Sequence, residues 1–259
     1  MKQKLSVVKI GGNVIEDQIE LERFLFYFSK LEGLKILVHG GGKLATRLAS
    51  QLGIESRMSN GRRITDAKSL EVITMVYGGL TNKNIVAKLQ ALGINALGLS
   101  GADGNSIKAH KRPVKDIDFG FVGDIDGINP NFTNSLLSIG ITPVFCAISH
   151  DGKGQLLNTN ADTIASEIAI GMGDILETTL YYCFEKKGVL KDVEDGDSVI
   201  QHINTEIYSD LLQGKVIADG MLPKMENCFH ALNHQVSKVC IGDISMLQTQ
   251  TNLFTTITL

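Results

Sequence analysis

The chain predicts an α/β fold in which a mostly parallel sheet carries helices on both faces. Two observations predict it. Short β-branched apolar runs alternate with amphipathic stretches along the 259 residues, the pattern of strands joined by crossover helices. Two of those runs also end in glycine turns that lead into helix-like segments. A chain of this length buries a sizeable core, either as one large domain or as two closely joined lobes.

The elements follow in order. Residues 5–10 form the first strand, and a helix lies near 20–31. Residues 34–38 are the second strand; Gly40, Gly41 and Gly42 follow it, and a helix covers 43–52. Residues 70–92 make a long helix that stops before Gly93, and 96–99 are the next strand. Residues 100–104 mark a loop, and 107–126, with Pro113 and several aspartates, read as a hairpin or lid rather than core. A short helix at 134–139 and a buried strand at 142–148 come next. The helix at 163–172 sets Ile164, Ala165, Ile168, Ala169 and Met172 on one face. A strand at 180–184, helices at 205–213 and 223–232, and a strand at 236–241 complete the series. No period of 20–50 residues recurs and no segment is low in complexity, so solenoid and disordered architectures drop out. Glycine motifs thin out after about Met172, which divides the chain into two lobes on one continuous sheet.

Composition excludes several function classes. Lys and Arg number 25 against 28 Asp and Glu, a formal charge of −3, so charge indicates no nucleic-acid partner. Cys146, Cys183, Cys228 and Cys240 are far apart and lack metal-type spacing, as expected for reduced thiols of a cytoplasmic protein. The chain opens with Met1-Lys2-Gln3-Lys4 and an apolar run shorter than a signal h-region of ~7–15 residues. No apolar stretch is long enough to span a bilayer.

The stretch Val38-His39-Gly40-Gly41-Gly42-Lys43 carries the clearest chemical signal. Consecutive glycines strip every Cβ from a strand-to-helix turn, so backbone N–H groups can close on a phosphate or carboxylate at the positive end of the helix. A tight turn that binds nothing is the alternative for one such motif alone. A second turn, Val7-Val8-Lys9-Ile10-Gly11-Gly12-Asn13, adds a lysine just before its glycine pair. Ligands on open α/β sheets sit beyond the carboxyl ends of the strands. Lys9, Gly40–Gly42 and residues 158–162 all fall at or just after strands, which lets them converge.

Taken together, Lys9-Ile10-Gly11-Gly12, His39-Gly40-Gly41-Gly42, Asn60-Gly61-Arg62-Arg63-Ile64-Thr65, Gly98-Leu99-Ser100-Gly101-Ala102-Asp103-Gly104, Asn158-Thr159-Asn160-Ala161-Asp162 and Asp219-Gly220-Met221-Leu222-Pro223-Lys224 resemble the successive motifs of the N-acetylglutamate kinases, within the amino-acid kinase family. Order and spacing agree over nearly the whole chain. The resemblance implies a three-layer αβα sandwich with a mainly parallel central sheet, forming one amino-acid kinase domain over residues 1–259. Within it, an acyl-glutamate-binding lobe would occupy 1–172 and a nucleotide-binding lobe 173–259. It further implies ATP as donor, Mg²⁺ arriving with ATP, and phosphorylation of the γ-carboxylate of an N-acylated glutamate in arginine biosynthesis.

The chemistry suits these residues. A glutamate carboxylate, with a pKa near ~4.3, is already a nucleophile at neutral pH, so no catalytic base is needed. The obstacle is repulsion between anions, which fixed positive charge around the transferring phosphoryl group relieves. By the resemblance, Lys9 and Lys224 stabilise the transition state, and Asp162 lies between their ammonium groups and orients them. Asp162 also suits the N-cap of the helix at 163–172. Gly41 and Gly42 resemble the cradle for the acyl-glutamate, while Gly11 and Gly12 resemble the turn against the ATP phosphates. Arg63 would pair with a substrate carboxylate through its guanidinium fork, and Asn158 would hydrogen-bond the α-carboxylate or amide. Arg62 reads as a solvated neighbour and His39 as a packed residue that shapes the turn. No protein-held metal is expected, since no acidic pair has obvious metal spacing.

The chain departs from the family pattern at Tyr182-Cys183-Phe184-Glu185-Lys186-Lys187-Gly188-Val189-Leu190, where the usual aspartate is absent, and Lys186 or Lys187 is placed to approach a phosphate instead. The end, Phe254-Thr255-Thr256-Ile257-Thr258-Leu259, lacks the usual Gly-Thr step. The acyl group is open between acetyl and a larger anionic group such as succinyl, prompted by Arg62 beside Ser59 and Asn60. Other members of the family, such as carbamate, uridylate or aspartate kinases, share the glycine turns, but residues 60–65 and 158–162 argue against them. Intact Lys9, Asp162 and Lys224 argue against a non-catalytic amino-acid sensor. The first strand starts almost at once, without the extra N-terminal helix of arginine-inhibited hexamers, so an arginine-insensitive homodimer is expected; the apolar helix 70–92 suits either an interface or core packing.

Overall fold

The computed structural model describes residues 2–59, 62–214, 216–217, 221–248 and 253–259. Asn60-Gly61 and Asp219-Gly220 of the sequence motifs lie outside the described residues. The chain packs as two compact units, one holding residues 1–36 and 165–259, the other 37–164.

The first unit opens with β1 (Lys4–Ile10), whose Leu5, Val7, Val8 and Ile10 are all buried, as in a strand covered on both faces. Helix α1 (Gly12–Glu16) follows directly; five residues are too few to leave a periodic signature. Asp17 then accepts hydrogen bonds from the N–H groups of Ile19 and Glu20, so α2 (Gln18–Lys30) begins earlier than the expected residue 20. Leu21, Phe24, Leu25 and Phe28 form its buried stripe. Its C-terminal carbonyls are gathered by buried Lys35, whose Nζ donates to Phe28 O, Ser29 O and Leu31 O at 3.2, 2.8 and 2.8 Å.

Strand β2 (Leu34–His39) carries the chain into the second unit, and α3 (Gly42–Gln51) starts after the glycine turn. A short hairpin of β3 (Met58–Ser59) and β4 (Arg62–Arg63) sets Met58 opposite Arg63. The expected long helix is present in three parts: α4 (Ala67–Ile73), a π-helical segment Thr74–Thr81, and α5 (Asn82–Ala91). Strands β5 (Ala96–Leu99), β6 (Ile107–Lys111) and β7 (Gly123–Ile128) follow, and β6 and β7 form the expected hairpin, antiparallel with a bulge after Lys108. Helix α6 (Pro130–Ser138) starts before the expected residue 134, because Asn129 caps the Phe132 N–H and Pro130 occupies the first turn.

The apolar run 142–148 is not one strand. It breaks at Ala147 into β8 (Thr142–Cys146) and β9 (Ile148–His150). The first pairs in parallel with β2 and β5. The second pairs antiparallel with β10 (Leu156–Asn158), in a separate four-stranded sheet ordered β10-β9-β6-β7.

Helix α7 (Ala161–Gly173) returns the chain to the first unit. Asn160, not Asp162, is its cap: Asn160 Oδ1 accepts from the N–H groups of Asp162 and Thr163 at 2.7 and 3.2 Å. Asp162 therefore sits inside the first turn. β11 (Glu177–Cys183), β12 (His202–Ile203), α8 (Thr205–Gln213), α9 (Leu222–Asn233), β13 (Lys238–Gly242) and β14 (Thr255–Ile257) complete this unit. Here the strand order is β12-β14-β13-β11-β1, parallel except that β14 runs against β13. β14 is tied in by buried Thr255, whose Oγ1 accepts from Val189 N–H at 2.8 Å and donates to Ile200 O at 2.7 Å.

Candidate active site

In the second unit the site is built on the turn between β2 and α3. Gly41 has φ +155°, and a Cβ there would stand 3.0 Å from Cδ1 and 3.2 Å from Cε1 of Tyr77. The backbone lies flush on that ring, so a side chain there would have to push it aside at a φ that L residues rarely adopt. Arg63 is fixed beside it: Nη2 donates to Gly42 O at 2.9 Å and Thr46 Oγ1 at 2.6 Å, and Nη1 donates to Ser56 Oγ at 2.7 Å. The guanidinium is thus held at the first turn of α3, with donors of its fork left over for an anion. Arg62, the next residue back, is exposed.

His39, fully buried, shapes this turn. Nδ1 bonds Gly40 O at 2.8 Å and Nε2 lies 3.0 Å from Asn82 Nδ2, which also donates to Val144 O at 2.9 Å. Asn82 is the donor on both counts, so the geometry assigns Nε2 as acceptor and Nδ1–H as donor to Gly40. Burial lowers the His39 pKa to about 4, against an upward pull from the Gly40 bond, leaving a neutral imidazole at neutral pH.

Asn158 reaches the same motif region from β10. Its Nδ2 donates to Thr65 Oγ1 at 3.0 Å. Thr65 N–H donates to Phe119 O, Phe121 N–H to Thr65 O, and Asn158 N–H to Phe121 O, at 2.9, 2.7 and 2.9 Å. The segment at Phe119–Phe121 therefore laces the Arg62–Thr65 motif to Asn158. It requires Gly120, at φ +71°, where a Cβ would fall 2.2 Å from Thr65 O.

In the first unit Tyr182 neighbours Lys9 in the sheet and carries Lys224 over its ring. Lys9 lies directly opposite Tyr182 in the β1–β11 register, and such neighbours share a sheet face. Lys224 Nζ stands 4.9 Å from the centre of the Tyr182 ring and 5.7 Å from that of Phe184, a cation–π arrangement. Lys9 also exerts a downward pull on the Cys183 thiol, whose pKa burial and the Asp243 charge push up. Gly11 N–H donates to Cys183 O at 2.9 Å, whereas a Cβ on Gly12 would meet nothing within 4 Å. Open space at Gly12 is what a backbone cradle for a phosphate requires.

Of the departing segment, Glu185 and Lys186 are exposed, and Lys187 is ion-paired with Asp197 at 2.5 Å. Lys9, Gly11, Gly12 and Lys224 thus belong to one unit, and Gly41, Gly42, Arg63, Asn158 and Asp162 to the other. Tyr77 and Tyr182 escaped sequence reasoning, since each stands in an apolar run where periodicity assigns it to the core. Among the described residues no group of three or more His, Cys, Asp or Glu side chains is placed to hold a metal ion, and no helix is long and apolar enough to cross a membrane.

A mainly parallel α/β sheet with glycine turns after its strands and a lysine at the end of one of them defines a phosphate-handling α/β protein. A model of the amino acid kinase family matches residues 4–243, and the chain belongs to that family. It is 56% identical over 241 residues to a protein of Phocaeicola vulgatus named acetylglutamate kinase, covering 93% of this chain and 94% of the relative. A Bacteroides fragilis protein of the same name is 53% identical over 249 residues, with 96% and 95% covered. The fold matches N-acetylglutamate synthase from Neisseria gonorrhoeae, crystallised with coenzyme A and N-acetyl-glutamate, at TM-score 0.82 and 20% identity over 99% of this chain and 59% of that one. It also matches Giardia carbamate kinase at TM-score 0.68 and 13% identity over 98% of both chains.

Proposed function

We propose that this chain is a kinase that transfers the terminal phosphoryl group of ATP to the side-chain carboxylate of N-acetyl-L-glutamate, the second step of arginine biosynthesis. A carboxylate oxygen attacks the γ-phosphorus, the bond from phosphorus to the β,γ-bridging oxygen breaks, and ADP leaves with the bridging electrons. No proton moves, so no base is required. The observation that carries the reading is that Lys9 and Lys224, far apart in sequence, both address Tyr182. In this reading the two cations offset the charge that accumulates as the anions approach.

In this reading residues 1–172 form the acyl-glutamate-binding lobe and residues 173–259 the nucleotide-binding lobe. Gly41, Gly42, Arg63 and Asn158 hold the acyl-glutamate, Gly11 and Gly12 face the ATP phosphates, and Asp162 orients the two ammonium groups. Mg²⁺ on the ATP phosphates neutralises part of their charge. The names borne by the relatives support N-acetylglutamate as acceptor. We place the enzyme in the cytoplasm as a homodimer; exposed Met75 and Leu80 on the π-helical segment support the dimer.

Coupled ADP release by the purified protein tests the function, with N-acetyl-L-glutamate, N-succinyl-L-glutamate, glutamate, aspartate and carbamate as acceptors. Turnover requiring an N-acylglutamate is expected, and the ratio of the first two acceptors fixes the acyl group. ADP release with carbamate or aspartate alone would sink the proposal.

A further inference from the structure

The face of the π-helical segment beneath the glycine turn carries two hydroxyl groups close to that turn. Tyr77 is 6% exposed, with its ring pressed against Gly41, yet its hydroxyl reaches the turn, 3.6 Å from where a Cβ on Gly42 would stand. Among the described residues no hydrogen bond engages that hydroxyl. Thr81, one helical turn on, is 4% exposed, and its Oγ1 has no hydrogen-bond partner; it lies 3.4 Å from the same Cβ position on Gly41. A buried hydroxyl such as that of Thr81 is ordinarily paired, because an unmade bond costs ~1–3 kcal/mol. π-Helical turns, themselves strained, recur at functional sites.

The charges nearby say what the partner is. Burial raises the Tyr77 pKa and the Arg63 guanidinium draws it back, so the phenol stays protonated at neutral pH and lies within electrostatic reach of Arg63. Arg63, the amide groups of the glycine turn and a phenolic O–H are all donors. A group that satisfies them together is an acceptor with several lone pairs and negative charge, a carboxylate.

We propose that the Tyr77 hydroxyl donates a hydrogen bond to a carboxylate of the acyl-glutamate docked at the Gly41–Gly42 turn, and so helps to select that substrate. The assignment rests on the function proposed above and adds a contact that the glycine and arginine motifs do not contain.

Tyr77→Phe keeps the ring under Gly41 and removes only the hydroxyl; Tyr77→Leu fills the same apolar space and guards against misfolding of the first variant. The expected result in whichever variant keeps the wild-type Tm is a KM for N-acetylglutamate raised about ten-fold or more, with KM for ATP and kcat within about three-fold of wild type. A role in packing alone would lower Tm and leave that KM ratio unmoved. An unchanged KM for N-acetylglutamate in an active, folded variant overturns the role of Tyr77 and leaves the proposed function standing. A wild-type protein inactive on every N-acylglutamate overturns both.

Discussion

The ammonium of Lys224 stands 4.9 Å from the centre of the Tyr182 ring, and the strand register sets Lys9 beside that same tyrosine. Tyr182 is thus the strand neighbour of one lysine and the cation–π partner of the other. In the proposed reaction both charges act on the transferring phosphoryl group. Lys9→Ala and Lys224→Ala are each expected to lower kcat on the order of 10²–10³-fold, with smaller changes in the KM for either substrate. Steady-state kinetics check this, and an unchanged kcat for Lys9→Ala removes its role.

The two glycine turns should respond differently to the same change. At Gly41 an added methyl meets Tyr77 at a positive φ, so Gly41→Ala is expected to cost about 1–3 kcal/mol of stability along with activity. Gly12→Ala meets nothing within 4 Å. It should unfold at the wild-type urea midpoint but show a raised KM for ATP.

Arg63 makes its contacts through both terminal nitrogens, a geometry an ammonium cannot copy. Arg63→Lys is expected to raise the KM for the acyl-glutamate roughly ten-fold or more while the KM for ATP stays put. Equal effects on both substrates would contradict the assignment.

His39 predicts a pH dependence of stability. Its folded pKa, about 4, lies below the unfolded value of ~6.5, so the unfolded chain binds the proton first as pH falls. The contribution of the neutral imidazole is complete above about pH 6.5 and is lost as pH drops toward 4, on the order of 3 kcal/mol in all and roughly 2 of it between pH 7 and 5. Urea denaturation at both pH values measures the loss, and His39→Asn should show less of it than the wild type.

Met75 and Leu80 are 52% and 50% exposed, an apolar pair on a segment whose Val76, Tyr77 and Thr81 are buried. If this face joins two copies, Leu80→Lys shifts light-scattering mass from dimer toward monomer. A wild-type monomer at all concentrations dismisses the dimer outright.

Much of this was legible in the sequence, for physical reasons. The strands before both glycine turns are long, β-branched and sharply punctuated, and α8 matches its expected span of 205–213. What escaped was short or lacked punctuation. α1 has five residues and β12 two, below the span over which periodicity has meaning. The run 142–148 is apolar throughout, so nothing local reports that Ala147 leaves one sheet and Ile148 enters another. Asn158-Thr159-Asn160-Ala161-Asp162 offers several capping side chains in a row, and only the backbone path shows that Asn160 takes the role. The π-helical turns at Thr74–Thr81 have no compositional mark, which is why Tyr77 passed for core. The glycine turns were legible because their chemistry is local, whereas the rings beside them, Tyr77 on the π-helical segment and Tyr182 on β11, carry no local mark.

The pairing of β1 with β11 along Lys4–Ile10 has a consequence for biosynthesis. Residues 37–164 are contiguous and leave the ribosome as one complete folding unit. The first strand has no such luck: at ~5–20 residues per second it waits about ten seconds or more for Glu177–Cys183 to be translated. Through that interval one edge of β1 lacks its β11 partner, and the first unit is completed only once Glu177–Cys183 has been made.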